Sequence, residues 1–174
     1  MSTPEEHKRG IKEEYRCAVL SISTSRFREM RKGEEIKDRS GEIIKRMLRE
    51  NKHDVIDYEI LPDDVSAIKE KVSKLVNGDA DVIITTGGTG LTSKDVTIEA
   101  ISPMIEKEIP GFGELFRYRS FEQVGSAAVL TRALSGVINR RLVFSLPGSP
   151  NAVELALKEI IIPEIPHIMR HLGE

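Results

Sequence analysis

Two stretches of this chain, residues 16–24 (RCAVLSIST) and 81–86 (DVIITT), are dominated by apolar and β-branched residues, with no polar alternation. A strand with one wet face alternates polar and apolar positions. A continuous run instead needs cover on both faces, as in a parallel sheet between helices. The residues between the two runs supply that cover. Ser40 is expected to cap a helix to about Asn51, with Ile43, Ile44, Met47 and Leu48 on one stripe. Residues 53–61 read as a second strand. Pro62-Asp63-Asp64 then turns into a helix carrying Ile68, Val72, Leu75 and Val76, which Asn77-Gly78-Asp79 stops. Strands and helices alternating through short loops call for an α/β fold, a mostly parallel central sheet with right-handed crossovers.

The second half is less regular. Residues 97–108 look helical, Pro110-Gly111 interrupts, residues 113–123 form another helical pattern, and residues 126–132 show no clear period. Leu134–Ile138 and Arg141–Leu146, separated by Asn139-Arg140, read as a hairpin, which adds an antiparallel element to the sheet. Pro147-Gly148-Ser149-Pro150 opens a helix, with Ser149 as cap and Pro150 in its first position. Pro163 and Pro166 are expected to bound a last short helix, and residues 26–39 to form a long charged loop.

A length of 174 residues suits one domain over residues 15–174, preceded by a polar, mobile tail over residues 1–14. Twenty-six basic against 28 acidic residues leave a net charge of −2, so no bulk field favours nucleic acid or an anionic membrane. A single cysteine, Cys17, excludes an internal disulfide, and no apolar run is long enough for a membrane span. The expected setting is a reducing cytoplasm.

The motif with the most chemistry is Gly87-Gly88-Thr89-Gly90, which follows the second buried run directly. Glycines let backbone N–H groups approach a ligand closely, and a helix start beyond them presents free donors, an arrangement suited to phosphate. Asp95 nearby suits a magnesium ion travelling with that phosphate, although Thr92 and Asp95 also resemble a capping box. The loop lacks the lysine ending of a Walker A element and the spacing of a dinucleotide fold. Read in isolation, Asp63 is a natural helix N-cap and Asp38 a residue flanking the cap at Ser40, structural roles that only convergence with Asp95 would override. The helix start at Ser149 offers a second anion socket beside the first. Glu114 with Arg117 and Arg119 places an acid near bases on one helical face, where a solvated salt bridge competes with phosphate binding. His167 and His171 have metal-ligand spacing but no acid between them, and they suit a helix C-terminus as cations.

Taken together, Ser21-Ile22-Ser23, Asp38-Arg39-Ser40-Gly41, Thr85-Thr86-Gly87-Gly88-Thr89-Gly90, Lys94-Asp95-Val96-Thr97, Pro110-Gly111-Phe112-Gly113-Glu114 and Leu146-Pro147-Gly148-Ser149-Pro150 resemble the molybdenum cofactor biosynthesis family of MoaB, MogA and the gephyrin G domain. The tract 116–125 looks nearest to MoaB. The resemblance implies a three-layer, MogA-like molybdopterin-binding fold that assembles as trimers or hexamers and works alongside other proteins of the pathway. The activity it implies is adenylyl transfer from MgATP to the terminal phosphate of molybdopterin, with pyrophosphate released; the alternative is a non-catalytic pterin-binding or scaffolding protein. Matching motifs put Asp63 and Asp95 on the family's functional acids, for magnesium or phosphate geometry, and Gly87, Gly88, Thr89 and Gly90 on its ligand loop. Ser23, Asp38, Ser40, Gly41, Glu114, Arg117, Pro147, Gly148, Ser149 and Pro150 become ligand-binding candidates, with Ser149 and its neighbours on the pterin side. Where many relatives carry an acid or asparagine after Ser-Ile-Ser, this chain has Thr24.

Overall fold

The two uninterrupted runs become the centre of a six-stranded sheet. A computed structural model describes residues 14–173, so the expected tail, apart from Glu14, lies outside the described residues. In chain order the elements are β1 (Arg16–Ile22), α1 (Thr24–Arg31), α2 (Arg39–Glu50), β2 (Asp54–Leu61), α3 (Val65–Val76), β3 (Val82–Thr86), α4 (Thr97–Ile101), β4 (Lys107–Glu108), α5 (Pro110–Val124), β5 (Leu134–Ile138), β6 (Arg141–Leu146), α6 (Pro150–Ala156) and α7 (Ile162–Gly173). The strands are ordered β2-β1-β3-β6-β5-β4; β2, β1, β3 and β6 run parallel, while β5 pairs antiparallel with both β6 and β4.

Alternate residues of the buried strands feed two separate cores. Cys17, Val19, Val82, Ile84, Phe144 and Leu146 pack against α2, α5, α6 and α7, whereas Ala18, Leu20, Ile22, Ile83 and Val143 pack against α3 and α4. Helices on both faces make three layers, as the continuous apolar runs require.

Five local expectations change. The charged stretch after β1 is not all loop, because Ser23 accepts from Arg26 N and starts α1. That helix buries none of its residues, so it left no apolar stripe in the sequence. Asp38, not Ser40, caps α2, and Asp64, not Asp63, caps α3 by accepting from Ala67 N at 2.7 Å. The helix expected over residues 97–108 ends at Ile101; a 3-10 turn follows and then β4, which pairs with β5 on the sheet edge. Pro166 lies inside α7 rather than at its end. Ile165, Ile168, Met169 and Leu172 hold that helix on the core, apolar contacts that offset the hydrogen bond proline removes.

Register decides where function can sit. Thr86 of β3 pairs with Ser21 of β1 and Leu146 of β6, and Ile22 pairs with Leu61 of β2. The carboxyl ends of four parallel strands therefore finish level, and the loops after them meet. Because β2 and β3 leave β1 in opposite directions, this is also the topological switch point, where open α/β sheets bind ligands.

Candidate functional site

The glycine loop is shaped by close approach on every side. Gly87 has φ +93°, donates its N–H to Leu146 O at 3.0 Å, and would place a Cβ 2.4 Å from the Ile22 carbonyl oxygen. Gly88, at φ +64°, would place one 2.4 Å from Thr97 Oγ1. A Cβ at Gly87 meets backbone and one at Gly88 meets the Thr97 hydroxyl, and both positions hold a positive φ that L residues rarely adopt. Thr97 ties the loop to α4, its hydroxyl donating to Gly87 O at 2.8 Å and its N–H to Gly88 O at 2.9 Å.

Asp95 closes the loop from below. Its Oδ2 accepts from Thr92 N at 3.0 Å and from Thr92 Oγ1 at 2.6 Å, while its own N–H donates to Thr92 O at 3.0 Å. The Thr92 hydroxyl, helped by backbone donors of Thr92 and Gly90 and by Arg132, holds its carboxyl below the usual carboxylate range. The capping geometry foreseen for Thr92 and Asp95 is present, but it closes a loop two residues ahead of α4, not the helix itself.

Asp63 is clasped rather than free. Thr24 donates to its Oδ2 from both N (2.8 Å) and Oγ1 (2.7 Å), and Asp63 N donates back to Thr24 Oγ1 at 2.9 Å. The other oxygen, Oδ1, faces the glycine loop, 3.0 Å from where a Gly88 Cβ would stand. Thr24, singled out by its departure from the family pattern, thus sits against one of the two candidate acids.

The third loop, Pro147 to Pro150, is drawn in by hydroxyls. Thr86 Oγ1 donates to Pro147 O at 2.9 Å and Ser40 Oγ to Gly148 O at 2.7 Å, and a Cβ on Gly148 would lie 3.2 Å from Gly87 Cα. Ser149 caps α6 by accepting from Ala152 N, with Pro150 in the first turn. Asp38 is buried and fully engaged: Ser21 Oγ and Tyr58 OH (2.7 Å) donate to Oδ2, Gly41 N donates to Oδ1 at 3.1 Å, and Arg26 lies 3.9 Å away. Burial, together with the bond to Asp38, raises the Tyr58 pKa and keeps its hydroxyl protonated as that donor.

Two adjoining cavities result. The smaller, about 420 Å³, is lined by Gly87 to Gly90, Asp95, Arg132 and Gly148; the larger, about 1490 Å³, by Asp38, Arg39, Tyr58, Gln123, Ser149 and Pro150 among others. Pro147 and Thr131 belong to both. The candidates therefore fall into three groups. Gly87, Gly88, Thr89, Gly90, Asp95, Pro147, Gly148, Asp38, Ser149 and Pro150 line a cavity. Ser23, Ser40, Gly41 and Asp63 line neither cavity; Ser40 and Gly41 are bonded to Gly148 and Asp38, which do, and Asp63 Oδ1 faces Gly88. Glu114 and Arg117, on α5, line neither cavity, and Arg119 pairs with Glu122 (3.2 Å) and Glu159 (3.9 Å).

Arg132 was missed. It lies in the stretch without period, yet the hairpin carried the signal, because Leu134 pairs with Ser145 and so places residues just before β5 beside those just after β6. Tyr58 was missed for another reason, since one aromatic residue in a strand looks like core.

Among the described residues no three His, Cys, Asp or Glu side chains converge on a metal position, so no all-protein cage is present. Magnesium does not need one: it is commonly bound by one or two carboxylates together with substrate phosphates, and Asp95, held anionic beside the glycine loop, fits that donor set. His167 Nε2 and His171 Nε2 lie 3.2 Å apart, with Glu164 at 3.2 Å from His167 Nδ1, remote in sequence from these loops. No helix among the described residues is long and apolar enough to cross a membrane.

Comparisons with known proteins identify the family. Residues 18–167 match the family described as "Probable molybdopterin binding domain". Molybdenum cofactor biosynthesis protein B of Bacillus cereus is 46% identical over 165 residues, covering 94% of each chain. A crystal structure of a molybdenum cofactor biosynthesis protein B superposes with a TM-score of 0.84 at 45% identity, covering 92% of this chain and 96% of that one. The tungsten cofactor synthesizing protein MoaB from Pyrococcus furiosus gives 0.82 at 42% identity, covering 94% and 99%. Likeness this deep along nearly the whole chain makes it a MoaB-like member of the molybdenum cofactor biosynthesis family.

Proposed function

We propose that this chain is a cytoplasmic molybdopterin adenylyltransferase. The observation that carries the reading is the pair of adjoining cavities with Pro147 and Thr131 in common, one walled by the glycine loop and the other by Asp38, Tyr58 and Ser149. Two ligands held there would meet at the shared wall. The smaller cavity takes the triphosphate of MgATP and the larger takes molybdopterin.

In the reaction a terminal phosphate oxygen of molybdopterin attacks the α-phosphorus of ATP, the bond from that phosphorus to the α–β bridging oxygen breaks, and pyrophosphate leaves. With a second pKa of about 6 the attacking phosphate is largely deprotonated at neutral pH, so no strong general base is needed. Backbone N–H groups of Gly88 and Thr89 and the Arg132 guanidinium orient and neutralise the phosphates, and Asp95 would hold magnesium among them, with the second oxygen of Asp63 facing the loop behind Gly88. Magnesium, when bound, neutralises charge on the leaving pyrophosphate.

A homo-oligomer, trimer or hexamer, accompanies this reading. Tyr118, Phe121, Val124, Val129 and Leu130 on α5 and the turn after it are exposed and apolar, a surface that a second copy would cover.

A non-catalytic pterin carrier is the second reading, favoured by the Thr24 clasp, which occupies one oxygen of Asp63. Purified protein incubated with molybdopterin and MgATP separates the two. Pyrophosphate released with adenylylated pterin supports the transferase. Tight pterin binding without either product supports the carrier.

A further inference from the structure

Among the residues lining the smaller cavity, only Asp95 and Arg132 are charged. Arg132 is held on two sides: Nη1 donates to Gly90 O at 2.8 Å, and Nη2 donates to the Glu99 carboxylate. A guanidinium has five donors in a planar fork, so these two bonds leave three N–H groups uncommitted by them, attached to a side chain whose direction is already fixed. The loop that must approach a phosphate and the cation that can grip one are therefore a single rigid unit.

The local charges decide what kind of anion fits. Glu99 offsets Arg132, Asp95 adds a negative charge, and Asp63 turns an oxygen to the same loop, so one cation faces an excess of carboxylates. A bare phosphate meets no net positive field there. A phosphate already chelated to a divalent cation brings the missing charge with it, the cation facing Asp95 and the phosphate oxygens facing Arg132.

The geometry points to Arg132 as the residue that holds the phosphate oxygens of a divalent cation–phosphate chelate against Gly87 to Gly90, with Glu99 as the positioning residue that aims it and sets the preference for the chelate. This rests on the reading that the glycine-loop cavity takes the nucleotide, and names the residue that recognises it.

Inorganic triphosphate, which has neither base nor pterin, tests the assignment by calorimetry on the full chain. Wild type is expected to bind it with excess Mg²⁺ at least about tenfold more tightly than in EDTA. Arg132→Gln weakens the magnesium complex by about tenfold or more, and Arg132→Lys by an intermediate factor, because a point charge replaces a fork. Glu99→Gln makes metal-free triphosphate bind more tightly and so narrows the preference, an effect that a purely structural brace would not produce. If Arg132→Gln fails to fold, Arg132→Lys and Glu99→Gln decide. The assignment is overturned if wild type binds no magnesium triphosphate or prefers the metal-free form, if folded Arg132→Gln binds within twofold of wild type, or if Glu99→Gln leaves the ratio unchanged. Arg132-dependent binding in a protein that never turns over molybdopterin and MgATP would sink the transferase reading and leave this assignment standing.

Discussion

Thr24 and Asp63 grip each other across two loops, with two donors from Thr24 on Asp63 Oδ2 and one from Asp63 N returned to the threonine hydroxyl. The pair staples the end of β1 to the end of β2, and the same carboxylate turns its second oxygen to the glycine loop. A residue that looks like a departure from the family pattern is thus a fixed part of the site.

Thr24→Val removes one donor and one acceptor from that staple while keeping the β-branched shape. Since both residues are half-exposed, water replaces part of the loss, and a destabilisation of about 1 kcal/mol is expected. Thr24→Ser, which retains the hydroxyl, should recover most of it. Urea midpoints check this, and equal midpoints for the valine and serine variants would remove the hydroxyl from the account.

Gly87→Ala is expected to be the costliest small change in the site. It demands φ +93° of an L residue and drives a methyl to 2.4 Å from a backbone oxygen, for a loss of at least about 3 kcal/mol. Gly111→Ala, where nothing stands within 4 Å, is the control. Thermal unfolding of the two variants should differ widely; similar melting temperatures would mean the loop is softer than drawn.

Asp95→Asn changes charge with little change in volume. Folding stability should move by less than about 1 kcal/mol, and adenylyl transfer should fall roughly a hundredfold as the metal-competent charge is lost. Steady-state pyrophosphate release reads this directly. Turnover equal to wild type would take Asp95 out of the chemistry.

His53 predicts the acid side of the stability profile. It is buried beside Tyr15 N, and burial lowers its pKa below 6.5. The unfolded chain therefore binds a proton that the folded chain resists, so this residue's contribution is constant at high pH and is lost as pH falls below about 6.5 toward the lower folded value. Asp95, lowered from 3.8, contributes above that pH and loses its share only as pH falls through its own folded value. Melting temperatures between pH 7.5 and 5 should decline in wild type and decline less in His53→Gln.

The layers of the fold were legible because burial on both faces leaves a simple trace, continuous apolar runs in β1 and β3 and apolar stripes on α2 and α3. What failed lacked that trace. Helix α1 buries nothing, β4 is two exposed residues held only by pairing to β5, and Pro166 follows the packing of α7 against its own local preference. In the site, the glycine loop was readable as a tight turn beside a ligand crevice and it lines a cavity, while Asp95 read as a capping acid as well as a metal ligand, and its bonds from Thr92 fit the capping side of that reading. The scaffolding roles of Asp38, Ser40 and Asp63 were not readable, because a carboxylate that binds a ligand and one that binds Ser21, Tyr58 and a backbone N–H look alike in sequence. Arg132 became visible only once the hairpin register brought it beside Pro147.

The most direct test is ³¹P NMR of stoichiometric protein, molybdopterin and MgATP. A new phosphoanhydride signal joining the pterin phosphate to AMP, with inorganic pyrophosphate appearing in equal amount, is the expected result. Unchanged ATP resonances in a sample where the pterin is demonstrably bound would contradict adenylyl transfer and leave a carrier in its place.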